Sequence, residues 1–291
     1  MYINESLAKG LKERLWNEVG ELDIKIARSI SLYVKKHKLK LGSRTCIKKL
    51  DQAISLYGQF ILASAMSGTR ANPLMLYAML TRSQEAISDW NEKMFCIETL
   101  SLDVWGNYRE YGKGARIGEH AVCRVFQRHP EIYNADTNEF EIFKIIPEFK
   151  DIAQYGQAMC LLFLFLPCMV KSIKNLTIPF ATKSGLFLGV YNEQLGCCDV
   201  RTFIADHQLT TKQAALTQQL REHLAETYSA MFPFVVREYF SGRHEEYIRF
   251  LSNLNAVIPQ FVELVTWNEH DFEVRRECQQ SIVDLINSLK R

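Results

Sequence analysis

The segment EHAVCRVFQR places one histidine and two arginines one helical turn apart. Each residue of an α-helix advances by about 100° around the axis. His120, Arg124 and Arg128 therefore fall within an arc of about 100°, and the apolar residues of the segment fill the opposite arc. The three side chains line the polar edge of a predicted amphipathic helix whose other edge faces the core.

This combination of side chains is suited to acid–base chemistry on an anionic substrate. His120 lies near the N-terminus of the predicted helix, where the helix dipole favours neutral imidazole. Arg124 and Arg128 would hold a phosphate, and the histidine would move a proton to or from a hydroxyl. Lys183, in a predicted turn, and Arg201, on a predicted strand, are candidate substrate-binding residues. The pattern favours a metal-independent ribonuclease-like or phosphate-substrate enzyme, as a bacterial toxin or defence effector would be.

The same segment carries a resemblance to known ribonucleases. A histidine-alanine-x-x-arginine helix followed by a small antiparallel sheet is similar to the arrangement in small RelE-type and BrnT-type toxins. The resemblance covers this helix and residues 176–204, under a third of the chain, and it implies ribonuclease activity centred on the helix. The helical HEPN ribonucleases suggest another pattern, an arginine followed by a histidine, which ranks lower because it occurs three times: Arg124 to His129, Arg201 to His207 and Arg237 to His244.

A second cationic feature suggests a different function. No acidic residue occurs between Arg28 and Asp51. Such a cluster can follow a phosphate backbone, although lysines also favour the negative end of a helix. Tyr33 is the single aromatic residue nearby, which gives base stacking little support. The alternative function is thus a non-catalytic helical module that binds nucleic acid, a protein or a second copy through its N-terminal helices. Its candidate nucleic-acid-binding residues are Lys35, Lys36, Lys38, Lys40, Arg44, Lys48 and Lys49.

Composition and motif content limit the partners, cofactors and cellular locations that the sequence supports. The 291 residues carry a formal net charge of +2, too small to indicate a nucleic-acid partner from bulk charge. The eight cysteines are scattered without metal-ligand spacing, so we expect reduced, structural thiols. No glycine-rich phosphate loop or zinc motif occurs, and we expect no cofactor and no metal. The N-terminus lacks a signal sequence, and the apolar run 158–170 is too short to span a membrane. These features predict a cytoplasmic protein without a membrane partner.

The spacing of apolar residues divides the chain into three regions. Region 1–92 is predicted to be helical, with helices from an Asn4 cap to about residue 37, over 44–66 and over 73–90. Region 93–208 is predicted to be mixed, with a strand in FCIETLSLDVW, the helix that must end at Pro130, and helical segments over 139–170. It closes with three short strands separated by turns at TKSG and NEQLG. On the last strand, alternate residues from Cys198 to Ile204 are predicted to face the core.

Region 209–291 is predicted to be helical again and begins with a capping box at Thr210 and Gln213. It either stands alone or packs with the N-terminal helices as one unit. The predicted class is therefore α+β, mostly helical, with a small antiparallel sheet of three to four strands in the middle of the chain.

Overall fold

A curled mixed sheet of seven strands forms the centre of the protein. The computed structural model describes residues 3–20, 22–68, 73–87, 90–129, 131–153, 177–192 and 194–231, with four isolated positions near the C-terminus, 280, 283, 284 and 287. The prediction of a small sheet in a mostly helical protein is wrong. The sheet includes strands from both the first and the second predicted region, because segments of the first region that were predicted to be helical form strands.

Three helices precede the sheet: α1 (Glu5–Val19), α2 (Leu22–His37) and α3 (Arg44–Ile54). The Asn4 side chain accepts a hydrogen bond from the backbone of Leu7 at 2.8 Å, which confirms the predicted cap. The single helix predicted as far as residue 37 instead breaks at Gly20. There the Arg82 guanidinium donates to the Trp16 carbonyl at 3.2 Å and lies 2.8 Å from where a Cβ on Gly20 would sit. A side chain from the sheet thus occupies the end of α1.

The largest difference from the sequence-based expectation concerns residues 55–90. A short 3-10 turn (Ser55–Phe60) leads into β1 (Ile61–Gly68), and β2 (Pro73–Ile87) forms a long hairpin with β3 (Trp90–Asp103). Residues 75–80 of β2 are all buried, so the strand is covered on both faces. A strand of this kind is a continuous apolar run without alternation, and its periodicity does not separate it from a buried helix.

Strand β4 (Tyr108–Gly118) completes the first half of the sheet, in which all neighbouring strands are antiparallel. The second half contains the three strands predicted around TKSG and NEQLG, which are confirmed as β7 (Thr177–Ala181), β8 (Gly185–Asn192) and β9 (Cys197–Ala205). The strand order is β1-β2-β3-β4-β9-β8-β7. Strands β4 and β9 pair in parallel over three residue pairs. This parallel junction joins the two antiparallel halves.

A bulge changes the faces of β9. The register between β8 and β9 shifts so that Leu188 pairs with Thr202 and Gly189 with Val200, which leaves Arg201 as the extra residue. Val200 is buried as predicted, but beyond the bulge Phe203 is buried and Thr202 is not. The predicted alternation is correct before Arg201 and wrong after it.

The remaining elements surround the second half of the sheet. Helix α4 (Glu119–Arg128) follows β4 directly, and a two-stranded ribbon, β5 (Tyr133–Asn134) and β6 (Glu139–Phe140), leads through a 3-10 turn (Ile142–Ile145) to α5, residues 146–153. A 3-10 turn (Asp206–Gln208) and α6 (Thr211–Met231) follow β9. Thr210 and Gln213 exchange backbone-to-side-chain hydrogen bonds at 3.0 and 3.3 Å, which confirms the capping box.

Several expectations fall on residues 154–176 and 232–279, outside the described residues. They include the whole apolar run 158–170, the remaining predicted helices of the C-terminal region and the pair Arg237 and His244. Within the described part, no helix is both long and apolar enough to cross a membrane. The five described cysteines are buried, and none of them is in a disulfide.

Candidate functional site

A cleft of about 330 Å³ opens beside the C-terminal end of α4. Helix α4 and the chain that follows it form one wall, α5 supplies a second, and the turns after β7 and β9 supply the others. The volume lies at the lower end of the range of small-molecule sites. The lining residues are Arg128, His129, Glu131, Glu148, Lys183, Ser184, Asp206 and His207.

Hydrogen bonds between these elements fix the shape of the cleft. The Arg128 guanidinium donates to the Phe203 carbonyl and ties α4 to β9. The backbone N–H of Asp206 donates to the Ser184 carbonyl at 3.1 Å and joins the turns after β7 and β9. Arg221 of α6 bridges the same two turns, at 2.7 Å to the Thr182 carbonyl and 2.8 Å to the Asp206 carboxylate. These bonds hold the chain segments around the cleft in place before any ligand binds.

A buried histidine faces a buried carboxylate at the base of the cleft. His129 ends α4, because Pro130 prevents the helix from continuing, and its exposed fraction is 7%. Its Nδ1 accepts a hydrogen bond from the backbone N–H of Glu131 at 3.2 Å. In the neutral ring the proton therefore lies on Nε2. That atom lies 3.6 Å from Oε1 of Glu148, beyond hydrogen-bond distance.

The Glu148 carboxylate is fully buried and only partly satisfied. Oε2 accepts a hydrogen bond from the backbone N–H of Ser184 at 3.4 Å. Oε1 and the Ser184 hydroxyl are buried polar atoms without a hydrogen-bond partner among the described residues. Burial raises the pKa of Glu148, but the neighbouring polar groups of His129, Thr182 and Ser184 outweigh it and lower the pKa below the ordinary value. A charged buried oxygen without a donor is costly, and a ligand that donates a hydrogen bond would relieve that cost.

A second carboxylate lies one helical turn along α5. Asp151 accepts a hydrogen bond from the backbone N–H of Lys183 at 3.1 Å. Burial, together with the negative charge of Glu148, raises the pKa of Asp151 from 3.8 to about 6. The two carboxylates of α5 thus hold the turn that carries Lys183 and Ser184.

This raised pKa predicts a specific pH dependence of stability. The folded protein holds the Asp151 proton more tightly than the unfolded chain does, so the free energy of unfolding should fall as the pH rises from about 4 to above 6. Each unit of difference in pKa corresponds to about 1.36 kcal/mol, so the free energy of unfolding should fall by about 3 kcal/mol in total. Asp151→Asn keeps an acceptor for Lys183 and should remove this part of the pH dependence in urea titrations at pH 4.5 and 7.5. An unchanged pH dependence in the variant would contradict the assignment.

The structure brings together only some of the residues that the sequence singles out. Arg128 and Lys183 both line the cleft. His120 is exposed in the first turn of α4, about 12 Å along the helix from Arg128. Arg124 contacts it, with Nε 3.4 Å from the His120 Nε2, and donates to Gln127 at 3.1 Å. Arg201 is exposed at the bulge of β9, and it does not line the cleft.

The preferred sequence-based site left out three informative residues of the cleft, His129, Glu148 and His207. His129 and His207 belonged only to the lower-ranked arginine–histidine pattern. Glu148 stands out in the sequence as one acidic residue inside the apolar stretch IIPEF. His207 lies in a turn, where periodicity carries no information.

The basic cluster occupies a separate surface, at the C-terminal end of α2 and the start of α3. The side chain of Arg44 lies outside the described residues, although its backbone begins α3. No group of three or more side chains of the types that bind metals lies together in the described part of the chain. The exposed members of the cluster are Lys35, Lys36, Lys38, Lys40, Lys48 and Lys49.

Comparison with known proteins yields no match to a family model, a curated protein or a solved structure.

Proposed function

We propose that the protein is an enzyme that cleaves a phosphate ester bearing a neighbouring hydroxyl, which is the chemistry of RNA. One observation supports the proposal: the cleft combines two cations with an ionised, buried carboxylate oxygen that has no partner among the described residues. A histidine lies on the same cleft. These are the groups that such a reaction uses.

Each group has a distinct role in the proposed reaction. Arg128 and Lys183 bind the phosphate oxygens and stabilise the charge that develops on them. The Glu148 carboxylate accepts the proton of the 2′-hydroxyl as its oxygen attacks phosphorus. The bond from phosphorus to the 5′-oxygen breaks, and His207 in its protonated form donates a proton to that leaving oxygen. The products are a 2′,3′-cyclic phosphate and a 5′-hydroxyl.

The buried His129 acts on Glu148 and not on the substrate. Its two ring nitrogens face the backbone of Glu131 and the Glu148 carboxylate. It therefore orients the carboxylate and helps to keep it ionised, which makes it a positioning residue. We further propose that the protein acts in the cytoplasm, where RNA is available, as a toxin or defence effector.

Two histidine variants separate this proposal from the site suggested by the sequence. His207→Ala should lower the rate of cleavage of a short RNA by about 10²–10⁴-fold, because general acid catalysis is worth that much. His120→Ala should leave the rate unchanged, since His120 is exposed outside the cleft. The reaction should be followed in the presence of a chelator by separating the products and identifying the cyclic phosphate.

The same experiments give results that would contradict the proposed site or the proposed reaction. Loss of activity in His120→Ala with full activity in His207→Ala would favour the site on the polar edge of α4. A wild-type protein that does not cleave RNA, or that cleaves a strand methylated on its 2′-oxygens, would refute the proposed reaction.

A further inference from the structure

Two turns that are distant in sequence meet on the surface that carries the basic cluster. The backbone N–H of Gly42, between α2 and α3, donates to the Val104 carbonyl, between β3 and β4, at 2.8 Å. The Trp105 indole lies against Gly42, with one ring atom 2.8 Å from where a Cβ would sit. Gly42 also has φ +87°, which favours glycine. The fold thus places a tryptophan directly on the lysine-rich turn.

Hydrogen bonds hold the backbone at Trp105, and its side chain remains exposed. The Asp103 carboxylate accepts hydrogen bonds from the backbone N–H groups of Trp105 at 2.8 Å and Asn107 at 2.9 Å, and from the Asn107 side chain at 2.7 Å. The exposed fraction of Trp105 is nevertheless 61%. A large flat side chain with a fixed backbone loses little conformational freedom when a ligand covers it.

Trp105 lies against the turn that carries exposed lysines. Lys38 and Lys40 lie in the same turn as Gly42, and both are exposed. The nearby Asp103 carboxylate already accepts three hydrogen bonds. At the end of α2, the Tyr33 and His37 rings lie 4.2 Å apart at an angle of 32°. In the sequence Tyr33 is the single aromatic residue near the lysines, because Trp105 lies in a distant part of the chain.

We propose that this lysine–tryptophan surface binds single-stranded nucleic acid. The lysines contact phosphates and Trp105 stacks on a base, which is the combination by which proteins hold single strands without reading their sequence. Double-stranded nucleic acid is disfavoured because its bases are already stacked on one another. The proposal is independent of the chemistry in the cleft, since the two surfaces share no residue.

A fluorescence anisotropy titration with labelled oligodeoxythymidylate of about 15 nucleotides tests the proposal. Because this oligonucleotide has no 2′-hydroxyl, it can bind but cannot be cleaved by the proposed reaction. Trp105→Ala should raise the Kd by about tenfold, and Trp105→Phe should restore most of the affinity. Leu56→Ala is the matched control, since Leu56 is 77% exposed beyond the other end of α3, and it should leave the Kd unchanged. In Lys38→Ala/Lys40→Ala the slope of log Kd against log salt should fall by about 1.4.

Five results would overturn the proposal. Three concern the oligonucleotide: no binding by the full chain, an unchanged Kd in a folded Trp105→Ala protein, and tighter binding of a duplex of equal length. A fourth is Trp105-dependent binding to vesicles of phosphatidylserine and phosphatidylcholine without binding to the oligonucleotide. Thermal melting of each variant shows whether it is folded. A loss of binding that Trp105→Phe does not recover would also count against stacking.

Discussion

Glu148→Gln is expected to lower the rate of RNA cleavage by about 10²–10⁴-fold. The amide has the shape of the carboxylate, and its oxygen still accepts the hydrogen bond from the Ser184 backbone. It does not accept a proton from the attacking hydroxyl. Because Glu148 is ionised at neutral pH in the folded protein, the wild-type rate should depend on a group with a low pKa. Single-turnover cleavage of a short RNA measures the change in the chemical step.

A matched variant shows whether the effect belongs to the cleft. Glu139→Gln makes the same chemical change at an exposed position on β6, and it should leave the rate unchanged. Substrate affinity should persist in Glu148→Gln, since Arg128 and Lys183 remain. A folded Glu148→Gln protein with wild-type activity would remove Glu148 from the mechanism and leave the two cations as an anion-binding site.

Asp199→Ala is expected to destabilise the fold by about 3–5 kcal/mol. The Arg116 Nε lies 2.9 Å from the Asp199 Oδ1, and the two residues face each other across the parallel junction of β4 and β9. The exposed fraction of Arg116 is 2%. Without the carboxylate the buried Arg116 guanidinium would lose this ion pair, and weakening the pairing of a buried charge is costly. Urea denaturation followed by circular dichroism measures the loss of unfolding free energy.

Two further variants separate the ion pair from a general effect of losing an aspartate. Asp136→Ala removes an exposed carboxylate from the turn between β5 and β6, and it should change stability by less than about 0.5 kcal/mol. Arg116→Met/Asp199→Leu removes both charges and should recover much of the lost stability. If Asp199→Ala were as stable as the wild type, the ion pair would contribute nothing to the junction.

The sequence predicts best the elements whose ends are marked by specific residues. Helix α4 ends before Pro130 as expected, α1 begins at the Asn4 cap, and the turn TKSG separates β7 from β8. Strand β2 lacked such a signal. It is buried on both faces, so its apolar residues do not alternate, and proline at its start is as compatible with the first turn of a helix. The errors at β1 and β2, together with the unpredicted strand β4, reduced a seven-stranded sheet to a small one.

The cleft was only partly predictable for a different reason. Arg128 and Lys183 were selected separately, by helical spacing and by position in a turn, and the fold places both on one cavity. His120 was selected by the same helical spacing as Arg128, but the cavity lies at the other end of α4. Glu148 and His207 come from elements that only the three-dimensional fold brings together. Spacing identifies residues that share an element, and it carries no information about elements that are far apart in the chain.

The position of the cleft has a thermodynamic consequence. Arg128 follows the first antiparallel half of the sheet, whereas Lys183 and His207 belong to the second half, and the halves pair directly over three residue pairs. A substrate bound by residues of both halves would bridge them, and its binding free energy would add to the stability of the folded protein. Resistance to unfolding and occupancy of the cavity are thus linked quantities, each increasing with the other.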